Sequence, residues 1–177
     1  MQTKKIIPAA ADALKIEILP TEALVPFAQN SRTHSDDQIS QIVASIKEFG
    51  FTNPVLVDSE NGIIAGHGRV MAAKKLALSE VPCIRLGHLT EKQKRAYVIA
   101  DNKLALNAGW DDELLKAEFL DLREEGFDLS LTGFGAAELA AFLENSTQEE
   151  NLPGDGGLDG EKKVECPHCK RWFTLKE

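Results

Sequence analysis

The chain has 177 residues, of which 43% are apolar and 27% charged, with 20 Lys and Arg against 28 Asp and Glu for a formal charge of −8. That length suits a domain with a real core, since soluble domains commonly run roughly 100–150 residues, and no apolar run approaches the ~20 residues of a membrane span, so a soluble cytoplasmic protein is expected. An acidic total excludes nucleic-acid binding by bulk charge alone, and three cysteines (Cys83, Cys166 and Cys169) are too few for a secreted disulfide framework.

Charge is unevenly spread. Residues 1–88 carry nine acidic and nine basic side chains, residues 89–143 eleven and six, and the remainder eight and five. An anion site therefore belongs in the neutral first half.

Residues 1–13 lack a sustained period and form a loose lead-in. From residue 14, Leu14-Lys15-Ile16-Glu17-Ile18 alternates as a half-buried strand does, and Pro20 stops it. A loop spans residues 26–34. Ser35 and Gln38 have capping-box spacing, and Ile39, Ile42, Val43, Ile46 and Phe49 follow at helical period until Gly50. Two β-branched runs, Pro54-Val55-Leu56-Val57-Asp58 and Gly62-Ile63-Ile64-Ala65, flank an Asn61-Gly62 pair and predict a hairpin. Gly66-His67-Gly68-Arg69 then enters a helix through residue 77, and Val81-Pro82-Cys83-Ile84-Arg85-Leu86 is a strand near a sheet edge because of Pro82.

Beyond Gly87 the pattern turns helical. Thr90 and Gln93 make a second capping box on a helix to about Leu106, and Asp111-Asp112-Glu113 suits the next helix start. Leu115, Phe119 and Leu122 form that helix's inner face with Gly126 as its stop, and a short helix carries Leu139, Phe142 and Leu143. Trp110 is expected in the core rather than as a base-stacking platform. A Gln-, Asn-, Gly- and Asp-rich linker follows over residues 144–163, then a tail over 164–177 with Cys166-Pro167-His168-Cys169. Two thiolates at that spacing supply half of a zinc knuckle, with reduced free thiols as the alternative.

The stretch Ile63-Ile64-Ala65-Gly66-His67-Gly68-Arg69 combines a strand, two glycines and an arginine at a helix start. Glycine lets backbone approach a ligand, a first helical turn offers unpaired N–H groups, and a guanidinium adds a fork of donors for phosphate. That is the composition of an anion cradle, although ligand-free turns of this kind are also common.

Four blocks in order carry a more specific signal: Asn30-Ser31-Arg32 before a capped helix; Phe49-Gly50-Phe51-Thr52-Asn53-Pro54-Val55-Leu56-Val57; Ile64-Ala65-Gly66-His67-Gly68-Arg69-Val70-Met71-Ala72-Ala73; and Val81-Pro82-Cys83-Ile84. Together they resemble the N-terminal domain of the ParB family, within the ParB/sulfiredoxin superfamily. The resemblance implies an α/β (α+β) fold over residues 14–88, with a small mixed sheet and packed helices, followed by a helical extension over 89–143. It implies binding of CTP or ATP with magnesium, as an accessory or regulatory module of DNA metabolism. By that resemblance Gly66, Gly68, Arg69, Arg32 and Asn102 carry over as nucleotide-binding residues and Asp101 as a magnesium ligand. His67 stands inside the same turn as a candidate phosphate contact or general base, or as a residue that only fills the loop.

The chain also departs from its relatives. Sulfiredoxins carry a nucleophilic cysteine where His67 stands, and Cys83 reads as a small buried hydrophobe, so sulfinic acid reduction is not expected. Partition proteins have Gly-Glu-Arg-Arg in place of Gly66-His67-Gly68-Arg69, so one cation of the cradle is missing, which is expected to weaken triphosphate binding or alter nucleotide choice. No helix-turn-helix counterpart is recognised within 89–143. That segment instead resembles one that follows ParB-type domains in phage-related proteins, often ahead of a DNA methyltransferase. The partners implied are a nucleotide and either DNA or a DNA-processing protein such as a methyltransferase, with no membrane and with a homodimer left open. A metal-dependent nuclease and a ligand-free interaction module are the alternatives, and a CTPase activity is left open.

Overall fold

The computed structural model describes residues 14–28, 30, 32–144, 163–165 and 172–174. Cys166, His168 and Cys169, the lead-in over 1–13 and the linker after Glu144 lie outside the described residues. The chain divides into two compact units, Met1–Leu143 and Glu144–Glu177.

In the first unit β1 (Ile16–Pro20), β2 (Val55–Val57), β3 (Ile63–Ala65) and β4 (Glu80–Arg85) form a mixed sheet in the order β1-β4-β2-β3. β1 pairs antiparallel with β4, β4 parallel with β2, and β2 antiparallel with β3. The continuous apolar run of β2 follows from burial on both sides. Val55 and Val57 join Leu24, Ile63, Val81 and Cys83 under Val70 and Ala73 of α2 (His67–Lys75), while Leu56 and Ile84 face a second cluster with Ile64, Leu86 and Val98 of α3 (Glu91–Ala105). The sheet therefore lies between α2 and α3. Cys83 is completely buried, and burial pushes its thiol pKa up, as for a small core residue.

Local signals set most of these elements. In the β2–β3 hairpin the left-handed residue is Asn61 (φ 65°). Gly62 serves a different need: a Cβ there would lie 2.8 Å from Oδ2 of Asp58, whose Oδ1 accepts the N–H groups of Glu60 and Gly62. Thr90 and Gln93 complete the reciprocal capping box of α3. α1 (Asp36–Phe49) is only half capped. Ser35 accepts the Gln38 N–H at 3.1 Å, but the Gln38 side chain turns to Nδ1 of His34, 2.9 Å away, instead of reaching back to Ser35.

Two strand expectations need correction. The apolar face of β1 points outward, with Ile16 64% and Ile18 59% exposed. Leu19 instead packs on the core and Glu17 pairs with Arg85 at 3.0 Å. Arg85 also donates to the Asp58 carbonyl and to Asn61 Oδ1, so a charge network fixes which face turns in. β4, expected near an edge, is interior, yet β2 begins at Val55 opposite Cys83, so Pro82 sits where β4 has a neighbour on the β1 side only.

Helices α4 (Asp112–Glu124) and α5 (Ala136–Glu144) flank a 3-10 turn at Leu129–Thr132. Phe119 is buried with its ring edge-on to Phe134 at 5.1 Å and Phe142 at 5.7 Å. Trp110 is not a core residue. It is 69% exposed just before the helix cap Asp111, with its ring against Phe134 at 5.6 Å, on the outside of the Phe119–Phe134–Phe142 cluster. Gln41 of α1 donates to the Gly133 carbonyl, and Phe49 stacks on Phe127.

In the second unit β5 (Lys163–Glu165) and β6 (Trp172–Thr174) pair antiparallel, with Val164 opposite Phe173. No helix among the described residues is long and apolar enough to cross a membrane.

Candidate functional site

Where β3 hands over to α2, the chain must turn through Gly66, which has φ 99° and ψ 22°. A side chain is strained there, and a Cβ would lie 2.9 Å from Nη2 of Arg69, so glycine lets the guanidinium fold back over the turn. The first intrahelical bond runs from Val70 N–H to the Gly66 carbonyl, which leaves the N–H groups of His67, Gly68 and Arg69 ahead of it at the positive end of α2.

These groups open on a cleft of about 170 Å³ lined by Asn30, Arg32, His34, Gly66–Arg69, Asp101 and Asn102. Arg69 Nη2 donates to the Pro54 carbonyl at 3.2 Å, while its Nε is buried with no hydrogen-bond partner. Burial pushes the guanidinium pKa down and the nearby Asp101 carboxylate opposes that shift. A buried donor without a partner costs about 1–3 kcal/mol. Arg69 thus lines the cleft with one buried donor left unsatisfied.

Arg32 is fixed by Asn30 in an Asx turn: Asn30 Oδ1 accepts the Arg32 N–H at 3.1 Å and Nδ2 donates to the Arg32 carbonyl at 3.2 Å. Asn102, on α3, donates Nδ2 to the Val98 carbonyl at 2.7 Å, which leaves its oxygen for other partners. Asp101 sits beside Tyr97, whose phenol pKa is raised by burial and then by that carboxylate.

His67 Nε2 accepts the Phe27 N–H at 3.2 Å, so this nitrogen is unprotonated and the ring ties the entry loop to α2. Burial, followed by the nearby His34, holds its pKa below the ordinary 6.5. Gly68 is buried because a Cβ would lie 3.0 Å from Ile42 Cδ1 and 3.1 Å from His34 Cε1. The absent side chain makes room for α1 and the histidine.

The structure therefore brings Arg32, Gly66, His67, Gly68, Arg69, Asp101 and Asn102 to one cleft. Asn30 and His34 line it too and were not singled out as ligands from the sequence. Their signals were the Asn-x-Arg turn and a His–Gln pair four residues apart across a helix start. Asp58 and Glu60, two acidic residues a metal-dependent nuclease would need brought together, sit in the hairpin turn, where Asp58 is already engaged by Lys94 at 2.9 Å. Among the described residues no group of three or more His, Cys, Asp or Glu could hold a metal ion.

Comparison with known proteins matches the ParB N-terminal domain to residues 8–103 and the ParB-methyltransferase HTH domain to residues 113–170. Over 85 residues the chain is 54% identical to the ParB-like nuclease domain-containing protein YnaK of Escherichia coli, an overlap of 48% of this chain and 98% of that protein. It is 28% identical over 167 residues to the probable chromosome-partitioning protein ParB of Helicobacter pylori, covering 83% of this chain and 56% of the relative. The chain thus spans little more than half of that partitioning protein. A crystal structure of the C-terminally truncated chromosome-partitioning protein ParB from Caulobacter crescentus, complexed with CTP-gamma-S, superposes with a TM-score of 0.61 at 21% identity, over 73% of this chain and 77% of that one. At that identity the likeness is one of fold.

The helix-turn-helix match corrects the expectation that residues 89–143 hold no such element. The connection between α4 and α5 is interrupted by a 3-10 turn and is longer than the three- to four-residue turn usually sought.

Proposed function

Because the chain belongs to the ParB N-terminal domain family, being matched by that family's model over residues 8–103, we propose that its cleft holds the polyphosphate tail of a nucleotide in a module that works on DNA. The observation that carries this reading is the buried, unpartnered Nε of Arg69 above the open first turn of α2. At about 170 Å³ the cleft is smaller than the roughly 300–1,000 Å³ that encloses a whole drug-sized ligand, which suits a phosphate chain with sugar and base lying outside it. CTP is the first nucleotide to try, since the Caulobacter protein of like fold was crystallised with a CTP analogue.

In this reading the amides of His67, Gly68 and Arg69 and the Arg69 guanidinium bind phosphate oxygens, and Arg32 adds a second cation from the opposite loop. Magnesium suits the donor set, because it is commonly held by one or two carboxylates plus substrate phosphates. Asp101 and the Asn102 oxygen would hold it, and bound magnesium would neutralise phosphate charge. The helix-turn-helix match supports DNA as the second partner, and the phage or mobile-element setting and a methyltransferase partner stay part of the proposal.

Isothermal calorimetry with CTP, ATP and GTP, with and without magnesium, tests the site. Wild type is expected to bind CTP, and Arg69→Ala to lose about 10- to 150-fold in affinity, the worth of a charge-assisted hydrogen bond at roughly 1.5–3 kcal/mol. Indifference of the wild type to every nucleotide refutes the reading. The nuclease alternative is checked by plasmid cleavage with magnesium or manganese.

A further inference from the structure

We propose that β1 carries a two-fold contact with a second copy of this chain, the two strands pairing antiparallel about Ile16 so that the sheets join edge to edge. No residue of the cleft takes part. β1 closes one end of the order β1-β4-β2-β3, and among the described residues no strand pairs with its outer edge. Leu14, Ile16 and Ile18, which share one face, are each more than half exposed. A free edge with open apolar residues is a template for another strand.

The pairing with β4 decides which backbone groups face outward. The Thr21 N–H donates to the Ser79 carbonyl at 2.8 Å, one step beyond the Pro20–Glu80 pair. Bonded pairs alternate along an antiparallel ladder, so Leu19–Val81 and Glu17–Cys83 are bonded, while Ile16 and Ile18 turn their N–H and C=O groups away from β4. Leu14 continues that alternation. Outward groups must meet outward groups, which restricts the register between two copies to even steps.

With Ile16 opposite its own copy, Leu14 meets Ile18 on one face and Lys15 meets Glu17 on the other. Lys15 is exposed and takes part in no ion pair among the described residues. Arg85 donates from both Nε and Nη2 to Oε2 of Glu17, so Oε1 can accept from Lys15 of the second copy. Sliding one strand by two residues instead sets Glu17 against Glu17 or Lys15 against Lys15. Like charges directly opposite destabilise a pair. The register about Ile16 therefore satisfies backbone, apolar and charge pairing at once.

Sedimentation of the full chain without nucleotide, over roughly 1–100 μM, tests the contact. Wild type is expected to pass from monomer to dimer as concentration rises. Lys15→Glu sets carboxylates opposite each other twice in a two-fold contact, and is expected to raise the dissociation constant about tenfold or more. Ile16→Pro removes an N–H that β4 does not use, and is expected to abolish the dimer. Urea melts check that both variants fold. Should Ile16→Pro fail to fold, Lys15→Glu decides alone, its side chain being exposed and unpaired in the monomer. A wild type that stays monomeric throughout, or a dimer that either folded variant leaves unchanged, overturns the inference.

Discussion

Replacing Arg69 by Met separates what the guanidinium does for the fold from what it does for a ligand. In the ligand-free protein Arg69 makes one hydrogen bond, Nη2 to the Pro54 carbonyl, and leaves its Nε buried without a partner. The bond contributes about 1.5 kcal/mol and the orphaned donor costs about 1–3 kcal/mol. Met keeps much of the apolar stem and brings no donor, while the guanidinium atoms that lie over Gly66 are removed. Arg69→Met is therefore expected to unfold at an unchanged or higher urea concentration, with a gain of up to about 1.5 kcal/mol. Nucleotide should act unequally on the two proteins: at a hundredfold excess over the wild-type Kd a ligand adds about 2.7 kcal/mol, or roughly 5–10 °C in Tm for a chain of this size, to wild type, and only about 0.3–1.4 kcal/mol to Arg69→Met if its affinity is about 10- to 150-fold lower. The assay is a pair of urea melts and a pair of thermal melts, each with and without CTP. Destabilisation of the ligand-free variant by more than about 2 kcal/mol would show the guanidinium to be a structural strut and refute the reasoning.

Three further outcomes are expected. Gly66→Ala should cost about 1–2 kcal/mol in urea melts for a side chain at φ 99°, and should weaken CTP binding, because its Cβ displaces the guanidinium 2.9 Å away. Asp58→Ala should cost about 2–4 kcal/mol by removing the acceptor of two turn amides. Burial raises the Asp58 pKa, but the bonds from Lys94, Glu60 and Gly62 outweigh this and hold it below 3.8. The unfolded chain therefore protonates first, and this stability, complete above the ordinary value, is lost as pH falls through the lower folded one; urea midpoints at descending pH should show a loss that the variant lacks. His67, also lowered, contributes stability that is complete above 6.5 and declines as pH falls below it, again because the unfolded chain takes up the proton first. His67→Gln, which can still accept the Phe27 amide, should flatten that part of the pH profile.

Much of the fold and the centre of the cleft could be read from local signals. The Asn61-Gly62 pair marks the hairpin, Thr90 with Gln93 marks the start of α3, and Gly66 with Arg69 marks the turn over which the guanidinium folds. What stayed illegible depended on partners far along the chain. The alternation of β1 gives its period but not its buried face, which is decided by the pairing of Glu17 with Arg85, 68 positions away. Ser35 and Gln38 match the spacing of a full capping box, yet the His34 ring competes for the Gln38 side chain and wins. The bond from the Phe27 amide to His67 spans 40 positions and turns a candidate catalytic base into a tether. Trp110 likewise depended on distant partners: Phe119, Phe134 and Phe142, from separate segments, pack on one another and leave it at their margin.

The walls of the cleft come from stretches that are remote in sequence, with Arg32 and Asn102 about 70 residues apart, yet both border the same small volume. A molecule grasped from both sides acts as a removable cross-link. Because it binds only the folded chain, it stabilises the two walls together by mass action, and that stabilisation is lost when it departs. Amides of α3 and of the loop ahead of α1 should then exchange their hydrogens with solvent in step, slowing together when the clasp is made and quickening together when it is released.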